Sequence, residues 1–337
     1  MSATVTALWG AEVDDAPVAV AAGAGLVAVA GAAGTAWILD TADGTPVGTV
    51  TLPGGLLALE FSPGGAHLAL AGPSGYGLWR RCDGRFLRAE TGAWSAAVRW
   101  ASDDRVAVAS GRRVQVLDPD GARQWGTDLA PSTVTDLAWL RDGRRLVSSA
   151  YGGVRCHERH SEKPVAEYKY LGSHLAIALE PNGRWICTGN QDASIHIWRT
   201  RDGDELTMHG YPDKIARLAF DPTGRWLASD GAPDITVWDF SGKGPAGTKP
   251  RSLRAHETVT ALAWRPGSAA ILAGAGTENK LALWRADAGR AGALLRPAFE
   301  RELPEPVTAL AWAGPDVLVI AGYEGRVEAW PLPEKLG

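Results

Sequence analysis

The chain of 337 residues has only three cysteines and two methionines. Cys82, Cys156 and Cys187 are far apart, odd in number and without the short paired spacing of zinc sites. They therefore point to a reducing compartment and not to a disulfide framework. Charge of one sign is also lacking: 34 basic residues face 38 acidic ones, for a net charge of -4. This balance gives no footprint for nucleic acid or an anionic membrane, so neither is expected as a partner. No segment sustains a helical hydrophobic period. GxSxG, Walker and HExxH motifs are all missing, and with them the usual sequence marks of nucleophilic, phosphoryl-transfer or zinc-hydrolase chemistry. The start, MSATVTALWGAEVDD, has no basic stretch leading into an apolar core, so a cytoplasmic location is expected. Residues 16–39 carry no charge and are long enough to suggest a membrane span. They alternate as VAVAA and LVAVAG around a GAG turn, which reads as two buried strands.

What the chain has in abundance is glycine and proline, 41 and 21 residues, set between short apolar runs. Eight such runs end in Trp or a substitute: Leu39, Trp79, Leu117, His157, Trp198, Trp238, Trp284 and Trp330. The intervals are 40, 38, 40, 41, 40, 46 and 46 residues, close to the length of a four-stranded propeller blade. A second series precedes them, clearest as VTDLAW at Val134–Trp139 and VTALAW at Val259–Trp264 and Val307–Trp312. Turn clusters such as SPGG, RDGR, PNGR and PTGR follow, and then another apolar run. Strand, turn, strand, short loop, strand is the order within each unit.

These units resemble the WD-repeat family of β-propellers over essentially the whole chain. The nearest local matches are NQDASIHIW at Asn190–Trp198, ITVWD at Ile235–Asp239 and the AHETVTALAW segment from Ala255. In that family a His before the first strand, a Ser or Thr of the second, an Asp of the following turn and the Trp of the third can form a hydrogen-bonded set. Asp192 and Trp198 match in one unit, with Thr188 as a hydroxyl partner. Glu278 and Glu324 stand at the Asp position elsewhere, and only His256 sits near the expected His. The resemblance thus implies an all-β ring whose polar stitching between blades is weaker than usual for the family.

The ends of the chain specify how such a ring closes. After Trp330 only PLPEKLG remains, whereas TVTALWGAEV adds one strand before the first unit. Residues 4–13 are therefore expected to form the outer strand of the last blade, whose other three strands lie between Val307 and Trp330. This closure removes exposed sheet edges at the junction. The expected architecture is one WD-repeat-type β-propeller domain over residues 1–337, with eight four-stranded blades. Seven blades plus a degenerate unit is the alternative.

Small residues recur at one position of the inner strands, Ala138, Ala178, Ala219, Ala263 and Ala311, where converging strands leave little room. Glu60 and Arg99 break this pattern in consecutive units and are read as an ion pair, with Asp136 and Arg217 as further polar residues. Cys156, His157 and His160 form the one cluster of metal-ligating types. On a strand, Cys156 and His157 point to opposite faces, and zinc wants three or four converging ligands. No metal or other cofactor is expected.

Loops carry function on rigid scaffolds. The loops entering the first strand and those joining the second to the third share one rim, and all six tyrosines fall there or at its edge. The expected partner-binding residues are Trp94, Tyr151, Tyr168, Tyr170, His209, Tyr211 and Tyr323, densest from Tyr151 to Tyr211. Tyr and Trp combine an apolar face with a polar tip and are enriched at interfaces. The opposite rim, with Arg80, Arg144 and Arg199 among interspersed acids, reads as a solvated mixed-charge face. The insertions at Ser241–Ser252 and in the final interval read as mobile decoration. The family resemblance implies a non-enzymatic scaffold for a protein or peptide, expected as a monomeric ring. The alternative is an enzyme or small-ligand protein using Glu60, Arg99, Asp136 and Arg217 in the channel.

Overall fold

The computed structural model describes residues 5–231, 233–267 and 269–336. Eight antiparallel sheets follow one another around a ring. Their innermost strands are Pro17–Gly23, Ala58–Phe61, Val98–Ser102, Asp136–Trp139, His174–Leu179, Leu218–Phe220, Val259–Trp264 and Val307–Trp312. We number the blades 1 to 8 in that order. Each inner strand touches the next, and the inner strand of blade 8 touches that of blade 1, closing the circle. The uncharged stretch at residues 16–39 forms three strands of blade 1: Pro17–Gly23, Leu26–Gly31 and Thr35–Asp40.

Closure runs through the N-terminus. Trp9–Glu12 pairs antiparallel with Arg326–Pro331, Trp9 opposite Ala329 and Glu12 opposite Arg326. It thereby supplies the outer strand of blade 8. The Leu8 N–H donates to Ala329 O at 2.8 Å, and the Val13 N–H donates to Gly325 O at 2.9 Å. The regular strand is thus shorter than residues 4–13, and Thr4 lies outside the described residues. Trp9 is buried, and its indole N–H donates to Thr41 O at 2.7 Å, so the chain's start also grips blade 1.

The repeated hexapeptide works as a connector. Its terminal Trp donates its indole N–H to an inner-strand carbonyl of the preceding blade: Trp100 to Glu60 at 3.0 Å, Trp139 to Arg99 at 2.9 Å, Trp264 to Ala219 at 2.9 Å and Trp312 to Ala263 at 3.1 Å. Its Thr reaches the other way. Thr135 Oγ1 donates to His174 O at 2.6 Å and Thr260 Oγ1 to Val307 O at 2.5 Å. These bonds link neighbouring blades, so polar stitching is stronger than the imperfect WD tetrads imply. Phe61, Leu179 and Phe220 hold the Trp position in blades 2, 5 and 6 and lack the donor.

The insertion of the final interval is built into a sheet, and the Ser241–Ser252 insertion enters one only at Arg251. Leu294–Leu295 pairs in parallel with Arg251–Leu253, giving blade 6 a fifth strand. The buried Arg251 guanidinium lies 4.4 Å from the Trp226 ring and donates to Ala288 O and Gly289 O, each at 3.1 Å. The expectation of mobile decoration is therefore corrected for the insertion of the final interval. An outer edge with unpaired backbone groups accepts any strand that can reach it, and the lengthened connection of blade 7 reaches blade 6.

Candidate functional site

Only part of the expected set forms in blade 5, around His174, which was not among the expected members: its Nδ1 meets Thr188 Oγ1 at 3.0 Å and its Nε2 meets Tyr170 O at 3.1 Å. Burial pushes the His174 pKa down, holding the ring neutral between these partners. Asp192 instead accepts from Tyr170 Oη at 2.9 Å and Ser194 Oγ at 2.6 Å. The Tyr170 ring lies against His196, with centroids 4.1 Å apart. In blade 7, His256 Nδ1 meets the Glu278 carboxylate. The position matching Thr188 is Gly274 there, and Trp284 Nε1 finds no partner in the protein.

Blade 6 substitutes a tyrosine for the histidine. Tyr211 Oη accepts from Trp238 Nε1 at 2.9 Å and sits 3.1 Å from Thr236 Oγ1, which lies 2.6 Å from Ser229 Oγ. Tyr168 lies 5.9 Å from the Trp198 ring and packs with the cluster around Ile177 and Ile186. Tyr168, Tyr170 and Tyr211 are therefore half-buried structural residues. Tyr76 belongs to the strand Gly75–Arg80 and is buried in the core rather than placed on the rim.

The remaining rim residues divide. Trp94 and Tyr151 are each 49% exposed, and His209 is also exposed. Tyr323 is exposed but lies on blade 8, across the ring from Tyr151 on blade 4, so the seven residues do not form one patch. Two leucines that the sequence reading missed complete a different arc: Leu129 at 51% and Leu171 at 80% exposure.

Hydrogen bonds to backbone carbonyls join this arc over blades 3 to 5. Gly111 N–H donates to Trp94 O at 2.8 Å, and Ala130 N–H donates to Arg112 O at 2.7 Å. Arg155 donates to Leu129 O at 3.0 Å, and Gly152 N–H donates to Gly172 O at 2.9 Å. Gly153, beside Tyr151, has φ +142°, and a Cβ there would lie 2.2 Å from Tyr168 O. Glycine at this point lets the outer strand close under the Tyr151 turn. A groove of about 100 Å³ opens beside it, lined by Pro131, Tyr151, Val154, Arg155, Tyr168 and Lys169. A loop leucine reads as core in a sequence. Its one distinguishing signal is a position outside the strand alternation, between Asp128 and Pro131 or between Tyr170 and Gly172.

In the channel, the four polar residues are engaged with one another or with neighbours. Arg99 lies 2.9 Å from Asp136 and 3.9 Å from Glu60. Asp136 also accepts the Ile177 N–H at 3.0 Å, which links blades 3, 4 and 5. Burial pushes the Glu60 carboxyl up to about 7 against the opposing pull of Arg99. Arg217 pairs instead with the buried Asp230 at 3.3 Å, and Asp230 Oδ1 accepts the Ala216 and Arg217 N–H groups. Cys156 and His157 are both buried. Among the described residues no three His, Cys, Asp or Glu side chains are placed to hold a metal ion. No helix among them is long and apolar enough to cross a membrane. On the opposite rim, Arg80 pairs with Asp83 and Asp120, and Arg199 with Asp202 and Asp204.

The family described as WD domain, G-beta repeat matches residues 166–199. That span covers the outer strand of blade 4 and the first three strands of blade 5, where the His174–Thr188 pair lies. Over 202 residues the chain is 30% identical to the nuclear distribution protein nudF of Aspergillus niger, covering 54% of this chain and 44% of that protein. It is 28% identical over 199 residues to the nuclear distribution protein PAC1 of Arthroderma benhamiae, covering 56% of this chain and 38% of that one. Protein groucho of Drosophila melanogaster is 30% identical over 78 residues, 23% of this chain and 11% of its own length. The chain thus spans less than half the length of these curated relatives. The computationally designed Ika8 protein shares the fold, with a TM-score of 0.80 at 19% identity, over 97% of this chain and 99% of that one. Ring and strand closure make this chain an eight-bladed β-propeller, and the local family match in blade 5 supports the WD-repeat type.

Proposed function

We propose that the protein is a non-enzymatic interaction scaffold that binds a protein or peptide through the rim over blades 3 to 5. The observation that carries this reading is the exposure of Trp94, Leu129, Tyr151 and Leu171 along one hydrogen-bonded arc. Large apolar side chains placed together in water favour a partner that covers them. Tyr151 and Trp94 remain from the residues expected on the sequence. Tyr168, Tyr170 and Tyr211 support the arc from below, and His209 and Tyr323 lie outside it. The close pairing of Arg99 with Asp136 and of Arg217 with Asp230 favours a scaffold over channel chemistry. The three free thiols accord with a reducing, cytoplasmic setting.

A photocrosslinking amino acid at position 151, compared with one at the exposed Val47 on an outer strand, tests the placement. A specific partner captured from position 151 and lost in the Trp94→Ser/Leu129→Ser variant is the expected result. Equal capture at both positions, or capture unaffected by the double substitution in a folded protein, refutes it.

A further inference from the structure

The apolar arc also has an uneven charge pattern. Arg112, Arg113 and Lys169 stand exposed along it. Arg112 Nε donates to Ala130 O at 2.7 Å and Arg113 to Thr127 O at 3.2 Å. Neither arginine nor Lys169 has a carboxylate partner among the described residues. The carboxylates nearby are already engaged: Asp128 and Glu167 each meet Arg155 at 3.0 Å, and Asp192 holds Tyr170 and Ser194. Across the ring the balance reverses. Asp14, Asp213, Glu257 and Glu324 are exposed on the loops of blades 1, 6, 7 and 8, with Lys214 also exposed among them.

We propose that the arc over blades 3 to 5 takes a short acidic segment of a partner protein carrying an apolar anchor residue. This inference rests on the rim reading above and adds the chemistry of the partner. The groove beside Tyr151, at about 100 Å³, has room for one branched aliphatic side chain. Its walls are mainly apolar, while Lys169 stands at its edge. An anchor seated there places its flanking residues over Arg112, Arg113 and Lys169, whose free N–H donors meet carboxylates. Desolvation of the anchor supplies most of the affinity. The three cations supply orientation and a faster, salt-sensitive encounter. A basic segment is repelled from this arc and drawn toward the acidic loops opposite.

Selection from a random-peptide display library against the full chain tests the inference, with synthetic copies of enriched peptides measured by fluorescence polarisation. The expected sequences place Asp or Glu beside Leu, Ile or Phe. Their affinity for the unaltered protein falls with added salt, whereas the Arg112→Glu/Lys169→Glu variant binds them roughly tenfold more weakly and loses that salt sensitivity. The exposed Arg112→Gln/Lys169→Gln variant gives an intermediate loss and keeps the test readable if charge reversal harms folding. Enriched peptides that need Leu129 and Tyr151 but are basic or uncharged overturn the present inference and leave the rim reading standing. Peptides that bind a folded Leu129→Ser/Tyr151→Ser variant unchanged overturn both. No enrichment above the unselected library likewise counts against the inference.

Discussion

Replacing Trp264 by Phe isolates the stitch between blades 6 and 7. The side chain is buried, and its indole N–H donates to Ala219 O at 2.9 Å. Phe keeps a six-membered ring in place but removes the donor. Loss of the bond, with a carbonyl left short of a partner, costs about 1–2 kcal/mol. The smaller ring buries roughly 40 Å² less apolar surface, worth about 1 kcal/mol at ~25 cal/mol per Å². The sum is about 2–3 kcal/mol. With an unfolding entropy of ~2.1 cal/mol/K per residue, a chain of this length loses about 3–4 °C in Tm. Trp284 provides the internal comparison, because it lies in the same blade and is fully buried, yet its Nε1 has no partner in the protein. Trp284→Phe loses the same kind of surface and relieves an unsatisfied donor, so it is expected to cost less than Trp264→Phe. Differential scanning calorimetry with circular dichroism measures both. If Trp284→Phe costs as much as Trp264→Phe, the hydrogen bond is not what holds the two blades, and the reasoning fails.

Tyr211→Phe removes the hydroxyl shared by Trp238, Thr236 and Ser229. It should cost about 1–3 kcal/mol in urea unfolding while leaving partner capture at position 151 intact; lost capture without lost stability would return Tyr211 to the binding surface. Glu60, with its pKa raised to about 7, is protonated in the folded state where the unfolded chain has already ionised. The folded state therefore binds the extra proton, and stability falls as pH rises from the usual carboxylate range through about 7. Glu60→Gln should flatten that slope in a pH series of melting curves, and an identical slope in both proteins would contradict the assignment. Removing residues 1–12 strips the outer strand from blade 8 and exposes the edge at Arg326–Pro331. A Tm lowered by more than ~10 °C with concentration-dependent association is expected, and an unchanged Tm would show that the N-terminal strand does not close the ring.

Much of the fold was legible because blade geometry leaves a periodic record. A turn glycine, an alternating strand and a Trp-ended run must return each time a blade is completed, so the count of eight and the spare N-terminal strand could be read directly. The interblade position of Glu60 and Arg99 was legible in the same way, since adjacent units place equivalent residues side by side. The fate of the insertions was not, because Gly- and Pro-rich composition says nothing about which sheet edge is within reach. Nor was the role of His174, whose position just inside the inner strand of blade 5 differs from that of His256 at the end of an entering loop.

The binding surface was less legible for a related reason. Tyr151, Tyr168, Tyr170 and Tyr211 look alike in sequence, all near strand ends. Whether a tyrosine ring faces water or a neighbouring Trp depends on the next blade, which supplies Trp198 and His196 for Tyr168 and Tyr170. In blade 6 it depends on Trp238 within the blade itself. Leu129 and Leu171 pass as core residues until the loops are seen to turn outward. The sequence by itself determined the ring, its number of blades and its closure, because backbone pairing and alternation are local and repeat. Only the tertiary structure decided which side chains are consumed in stitching and which stay free, because that depends on contacts between residues tens of positions apart.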